Sequence, residues 1–258
     1  MSLSIQPGEL IAVMGRAGSG KSHLLEVIAG ETKPHAGKID CQVDQHFCGD
    51  PVFPRRATPL SLAKKALDTE NTQRIVVVLN ALGLTDLRDV AVTKLTQSQM
   101  IACALIDSLM PEQGLAIIDG LLDLLDPWTL EAVFQVIQTD LELGKSYVFA
   151  THQPAFAERC DQLIVIKDQS MIFAGSIPQL IAETAPAQFT VDCEDQSTVA
   201  AMVEPFALNI KKTPGKVIFT THRNQSLAAK LLTHGYGNIS AISVSEPTLR
   251  DALQFLKS

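Results

Sequence analysis

The stretch "GRAGSGKS", Gly15 to Ser22, limits the fold more than any other part of the chain. It satisfies the pattern G-x-x-x-x-G-K-[ST]. It follows the short apolar run of "ELIAVMG" and precedes the helical spacing of Leu24, Leu25 and Ile28, which Gly30 closes. The spacing predicts a strand, a tight loop and a helix. In such a unit the backbone N–H groups of Gly15, Arg16, Ala17, Gly18, Ser19 and Gly20, with the helix N-terminus, surround phosphate groups. Lys21 reaches the terminal phosphate oxygens, and the Ser22 hydroxyl is a ligand for Mg²⁺. Gly18 and Gly20 allow an approach that a side chain would block. At average glycine usage the four fixed positions arise by accident in only about one chain in a hundred of this length.

The rest of the first half reads as α/β. After a turn rich in Pro and Gly the chain is expected to be irregular to about Pro59, then helical from about residue 60 to 109, broken near Gly83 and Thr93. From Leu115 the buried-strand pattern returns in "LAIID". A helix around Leu130 to Leu143, the strand "SYVFAT", a helix starting near Pro154 and the hairpin "QLIVIK"/"SMIFAG" follow. Beyond "TAPAQ" the order is strand, helix, strand, strand, helix, strand, with helices over Thr198–Val203 and Gln225–His234 and a last helix from Pro247. This order describes a small α/β sandwich of ferredoxin-like type. Two domains are expected, residues 1–185 and 186–258.

Composition supports that class and narrows the partners. Hydrophobic residues make up 46% of the 258 and aromatics only 5%, the make-up of strands covered on both faces by helices. A net charge of −7 argues against nucleic acid as a partner. Arg55 and Arg56 are the one basic pair considered, and they read as a solvated loop. Five scattered cysteines without a C-x-x-C pair fit a reducing compartment. There is no basic segment leading into an apolar leader and no stretch of eighteen apolar residues. A soluble cytosolic chain is therefore expected, with any membrane association through a partner.

Asp119 ends the run "LAIID" and reads as a second carboxylate, holding Mg²⁺ through water at the end of a neighbouring strand. With the cradle, the order of motifs over about residues 3 to 183 resembles the nucleotide-binding domain of ABC transporters: "GEL", the cradle, "AGETKPHAGKI", "DPVFP", a helical insert, a signature position, the Asp119 strand, "LLDP" and "ATH". The resemblance implies a P-loop nucleotide hydrolase fold that binds ATP with Mg²⁺. Asp126 would be the D-loop residue contacting a partner domain across a dimer, and His152, 33 residues after Asp119, the switch histidine at the γ-phosphate.

Three departures bear on activity. The glutamate that the family places after this aspartate is Gly120. The signature LSGGQ is "LTQSQ", so Thr96, Gln97 and Ser98 stand where the opposite subunit's γ-phosphate would be gripped. The Q-loop glutamine is Gly49. The first strands, with the aromatic residue on which adenine stacks, are also expected to be missing. A lost water-positioning carboxylate raises the barrier by roughly 3–5 kcal/mol, so phosphate binding survives these changes better than hydrolysis.

The tail "ISVSEPTLRDALQFLKS" resembles the C-terminal extension of ATP-binding subunits of ABC-2-type exporters, with Leu249, Ala252, Leu253 and Leu256 as the apolar face of its helix. The implied protein is a degenerate ABC subunit at the inner face of a membrane. It would bind a permease and either a copy of itself or a second ATPase. The competing expectation is an active ATPase in which a carboxylate such as Asp123 replaces the glutamate.

Overall fold

The computed structural model describes residues 4–34, 38–50, 52–67, 72–222, 231, 233 and 238–256. It divides into two compact units, Met1–Gly175 and Ser176–Ser258. The division falls ahead of the expected 185/186 because the helix Ile177–Thr184 packs on the C-terminal helix Leu249–Phe255.

The first unit is built on a six-stranded sheet. Its strands in chain order are β1 (Leu10–Gly15), β2 (Gln45–Cys48), β3 (Leu115–Asp119), β4 (Ser146–Ala150), β5 (Gln162–Lys167) and β6 (Ser170–Gly175), arranged β2-β3-β4-β1-β5-β6. All but β6 are mutually parallel, and β6 closes one edge as an antiparallel hairpin with β5. The central strands are buried on both faces, which is why "LIAVM", "LAII" and "YVFA" are continuous apolar runs rather than alternating ones. Ile11, Val13, Ile117, Val148 and Ile164 form one core layer with Leu25 of α1 (Lys21–Ile28).

Strand β2 lies inside the stretch expected to be irregular. Four residues at a sheet edge, beginning Gln45-His46, carry too little apolar pattern to announce themselves; pairing with β3 defines them. The helical region consists of α2 (Pro59–Ala66), α3 (Thr72–Ala81), α4 (Gln97–Ala104) and α5 (Ile106–Leu109), with 3-10 turns at Thr85–Leu87 and Val92–Lys94. The helix α6 (Pro127–Glu142) joins β3 to β4, and a single helical turn, α7 (Pro154–Ala157), follows β4 at the start expected near Pro154.

A buried polar network lies within this unit. Arg74 on α3, Asp140 on α6, and Lys145 and Tyr147 at the start of β4 are all buried. Asp140 Oδ2 accepts from Arg74 Nη2 at 2.7 Å and from the Tyr147 hydroxyl, with Lys145 Nζ at 3.6 Å. Lys145 Nζ also donates to the carbonyls of Ser108 and Pro111, both at 2.6 Å. Burial pushes the Lys145 ammonium down to about 7, against the opposing pull of Asp140.

The second unit contains a four-stranded antiparallel sheet of β7 (Ala187–Cys193), β8 (Asn209–Thr213), β9 (Lys216–Thr221) and β10 (Ile239–Ser245), in the order β10-β7-β9-β8. Counted within the unit this is 4-1-3-2, the ferredoxin-like arrangement expected from the element order. Phe189 and Phe219 face each other in register and stack at 5.1 Å, with Val199 and Val203 of α9 (Gln196–Val203) in the same core. The helix expected over Gln225–His234 lies outside the described residues except at 231 and 233, which are helical; Leu231 is buried in that core. The remaining helices are α8 (Ile177–Thr184) and α10 (Leu249–Phe255), whose Thr248–Asp251 capping box fixes its start. Among the described residues no helix is long and apolar enough to cross a membrane.

Candidate functional site

In an open parallel sheet, ligands gather at the carboxyl ends of the strands. Here the carboxyl ends of β1, β3 and β4 deliver Gly15, Asp119 and the segment Thr151–Gln153 to one edge. Asp119 does not sit on the strand next to β1, as the sequence reading expected. Strand β4 lies between β1 and β3, and so His152 emerges between the cradle and Asp119.

The cradle is folded as its sequence requires. Gly18 and Gly20 have φ of 75° and 104°, the left-handed region in which other residues are strained. A Cβ at Gly15 would stand 2.4 Å from the Ile166 carbonyl oxygen, so glycine is obligatory there for a second reason. Ser19 Oγ is buried beside it with no hydrogen-bond partner. Behind the loop, the β5–β6 turn supplies Gln169, whose N–H donates to the Ser19 carbonyl at 3.0 Å. Asp168 and Gln169 hold φ of 49° and 62°, a conformation favoured in two-residue hairpins and unusual for glutamine.

Lys21, the first residue of α1, is buried, and its Nζ donates to the carbonyls of Gly15 and Arg16, each at 3.0 Å. Burial lowers its pKa, while the charges of Asp119 and Asp123 pull it up. Ser22 is exposed one residue further along the helix. The donor set fits a Mg-triphosphate: a glycine loop with no side chain in the way, an ammonium whose two carbonyl partners phosphate oxygens can replace, and a hydroxyl and a carboxylate for the cation.

Gly120 is not a truncated glutamate. Its φ is 69°, it opens the 3-10 turn Leu121–Leu124, and nothing lies within 4 Å of where a Cβ would stand. There is room for a side chain, but the backbone sits in a conformation that costs most L-residues about 1–2 kcal/mol. Two residues into that turn, Asp123 accepts from the Thr151 hydroxyl (Oδ1, 2.6 Å) and from the His152 N–H (Oδ2, 2.8 Å). From the sequence, Asp123 is expected only as a substitute carboxylate. Its partner Thr151, and Gln169 behind the cradle, were not foreseen, because contacts between separate strand ends leave no periodic signal.

The remaining residues make local contacts of their own. Asp126 caps α6, accepting from the N–H groups of Trp128 and Thr129 and from the Thr129 hydroxyl, which holds its carboxyl below the usual range. Thr96 caps α4 in a capping box with Gln99, and Gln97 and Ser98 are the first two helical residues, both exposed. Helix α4 packs against the turn that carries Asp123. Gly49 follows β2, where a Cβ would meet the Phe47 ring at 3.2 Å.

A P-loop nucleotide-binding domain is the class that this sheet and cradle define. The profile of the ABC transporter family matches residues 1–121. The cytochrome c biogenesis ATP-binding export protein CcmA of Hyphomonas neptunium is 30% identical over 157 residues, covering 60% of this chain and 81% of that protein. The thiamine import ATP-binding protein ThiQ of Jannaschia sp. is 26% identical over 203 residues, covering 71% and 89%. For the methionine import ATP-binding protein MetN of Histophilus somni the figures are 26% over 208 residues, with 70% of this chain and 60% of the longer relative. A solved ATP-binding subunit of an ABC transporter superposes with a TM-score of 0.62 at 22% identity, over 70% of this chain and 84% of that one. The chain belongs to the ABC transporter ATP-binding family.

Proposed function

We propose that the chain is the ATP-binding subunit of an ABC-2-like exporter that holds Mg-ATP at Gly15–Ser22 but hydrolyses it poorly, and that it couples nucleotide occupancy to a permease and a second ATPase domain. One observation carries the reading: a complete cradle faces a turn whose first residue, Gly120, has no carboxylate and a backbone unsuited to one. In the proposed complex the loop N–H groups and Lys21 bind the phosphates, while Ser22 and Asp119 hold Mg²⁺. The cation supplies neutralisation of phosphate charge. In this reading His152, at the end of β4 between the cradle and Asp119, meets the terminal phosphate. In the same reading Gln97 and Ser98 would put side chains where a partner's nucleotide is met by bare backbone and Asp126 would contact the partner domain; α10 with its preceding Pro247 supports the exporter subclass.

The competing reading makes Asp123 the substitute base. Both its oxygens already accept hydrogen bonds from Thr151 and His152, which argues for a holding role over proton abstraction. The test is a pair of measurements on the full chain and on the complex with its co-purified permease. Calorimetry is expected to detect Mg-ATP binding. Turnover of the chain alone is expected far below the usual enzyme range of about 1–10³ s⁻¹, and Gly120→Glu is expected to destabilise the chain by about 1–2 kcal/mol without restoring hydrolysis. Turnover inside that range, lost in Asp123→Asn, would replace this reading with the competing one.

A further inference from the structure

Asp123 sits at a junction that no single motif describes. The turn carrying it begins directly after Asp119 and Gly120 and ends at Leu125, one residue before the Asp126 cap of α6. Its carboxylate crosses to the end of β4. Oδ1 accepts the Thr151 hydroxyl at 2.6 Å, Oδ2 accepts the His152 N–H at 2.8 Å, and the Thr151 oxygen in turn accepts the Gln153 N–H at 3.0 Å. Thr151 is fully buried and Asp123 half-buried, so the Thr151 hydroxyl is anchored inside the fold, whereas the His152 side chain is exposed. Hydrogen bonds to a charged acceptor are the stronger kind. The same carboxylate is close enough to Lys21 to raise its proton affinity. Three strand ends, those of β1, β3 and β4, are thereby referred to one side chain.

We infer that Asp123 is a positioning residue that latches the Thr151–Gln153 segment to the turn after β3, so that nucleotide sensed at Lys21 and His152 is transmitted to the start of α6. The inference rests on the reading of Gly15–Ser22 as a Mg-ATP site. A subunit that hydrolyses poorly needs a mechanical link from nucleotide to neighbour, and a ligand moves an equilibrium only through contacts that differ between states. The latch supplies such a contact because its two ends belong to different strands. Leu124 and Trp128, both largely exposed, flank Asp126 just beyond it.

Trp128 is the only tryptophan in the chain and is 83% exposed, so its emission reads out the start of α6 directly. In the full-length wild type, Mg-ATP is expected to change that emission. Asp123→Asn is expected to reduce the change by roughly fivefold or more, the size of an ordinary coupling between sites. Calorimetric Kd should stay the same or tighten, because the substitution removes a negative charge from beside the phosphates. Thr151→Val keeps the charge and the volume. It should act in the same direction, and the double variant should lose no more than Asp123→Asn alone. Amide exchange at His152 and Gln153 should accelerate in both variants while the amides of β4 keep their protection.

If both variants bind Mg-ATP and keep the wild-type Trp128 response, the latch is wrong; it is equally wrong if wild type binds and Trp128 stays silent. Should Asp123→Asn fail to fold, Thr151→Val alone decides. Failure of the wild type to bind Mg-ATP would bring down the reading of the cradle itself, and is told apart from failure of the latch by that calorimetric result.

Discussion

Two buried lysines, Lys21 and Lys145, make nearly the same local contacts and have opposite meanings. Each donates to two main-chain carbonyls, and burial lowers the pKa of each while carboxylates raise it. Around Lys145 the partners are permanent: Asp140, held also by Arg74 and Tyr147, closes the charge inside the protein. Around Lys21 the partners are carbonyls of a glycine loop at a sheet edge, and its carboxylates act from a distance. Burial and a shifted pKa therefore do not identify a binding lysine. What does is whether a ligand can replace its partners.

Three measurements sharpen that contrast. The largest effect is expected in the buried network. Arg74→Met removes the guanidinium paired with Asp140 at 2.7 Å and leaves a buried carboxylate short of charge, which should cost about 3–5 kcal/mol in denaturant unfolding. A loss below about 1 kcal/mol would show the network to be more open than its burial implies.

Next comes Lys21→Ala. It should weaken Mg-ATP binding roughly tenfold to a hundredfold, the worth of a charge-assisted hydrogen bond. The unfolding temperature of the ligand-free chain should not fall, since the ammonium is held in an environment that disfavours its charge. Equal affinity in calorimetry would break the comparison, because Lys21 would then be a second structural lysine.

Taken per pH unit, the smallest effect is in the pH dependence of stability. The Lys145 ammonium has a pKa of about 7 when folded and an ordinary value of 10.5. Between these the unfolded chain binds more protons than the folded one, so this residue's contribution makes stability rise with pH, by at most about 1.4 kcal/mol per pH unit. Its penalty is complete below about pH 7 and relieved toward 10.5. Chemical denaturation at a series of pH values should show that rise in the wild type and a flatter curve in Lys145→Met.

Legibility followed the range of the signal. The strand, tight loop and helix around Gly15–Ser22 could be read because their residues recur at fixed spacing along one stretch. Strands β3 and β4 could be read because both faces are buried, and the second sheet because its strands and helices follow one another in order. Lys145 carries no pattern of its own in "LGKS", since nothing nearby in sequence reveals that Asp140 and Arg74 will close over it. The same reason hid the Asp123–Thr151 bond, whose partners are 28 residues apart. The position of β4 between β1 and β3 was invisible for a related reason: strand order in a parallel sheet is decided by crossovers. Strand β2 was hidden by its shortness and by the polar residues that open it.

The left-handed turn at Gly120 has a consequence for the history open to this chain. Where a lost side chain leaves the backbone unchanged, one substitution restores it. Here the main chain occupies a region that only glycine, and with modest strain asparagine or aspartate, enters readily. The acidic residue most easily regained is therefore aspartate, one methylene shorter than the residue the family uses, and a return to glutamate requires the turn to change its shape as well. In the proposed degenerate subunit, a missing carboxylate and this turn together would act as a pawl, permitting drift in one direction and resisting it in the other.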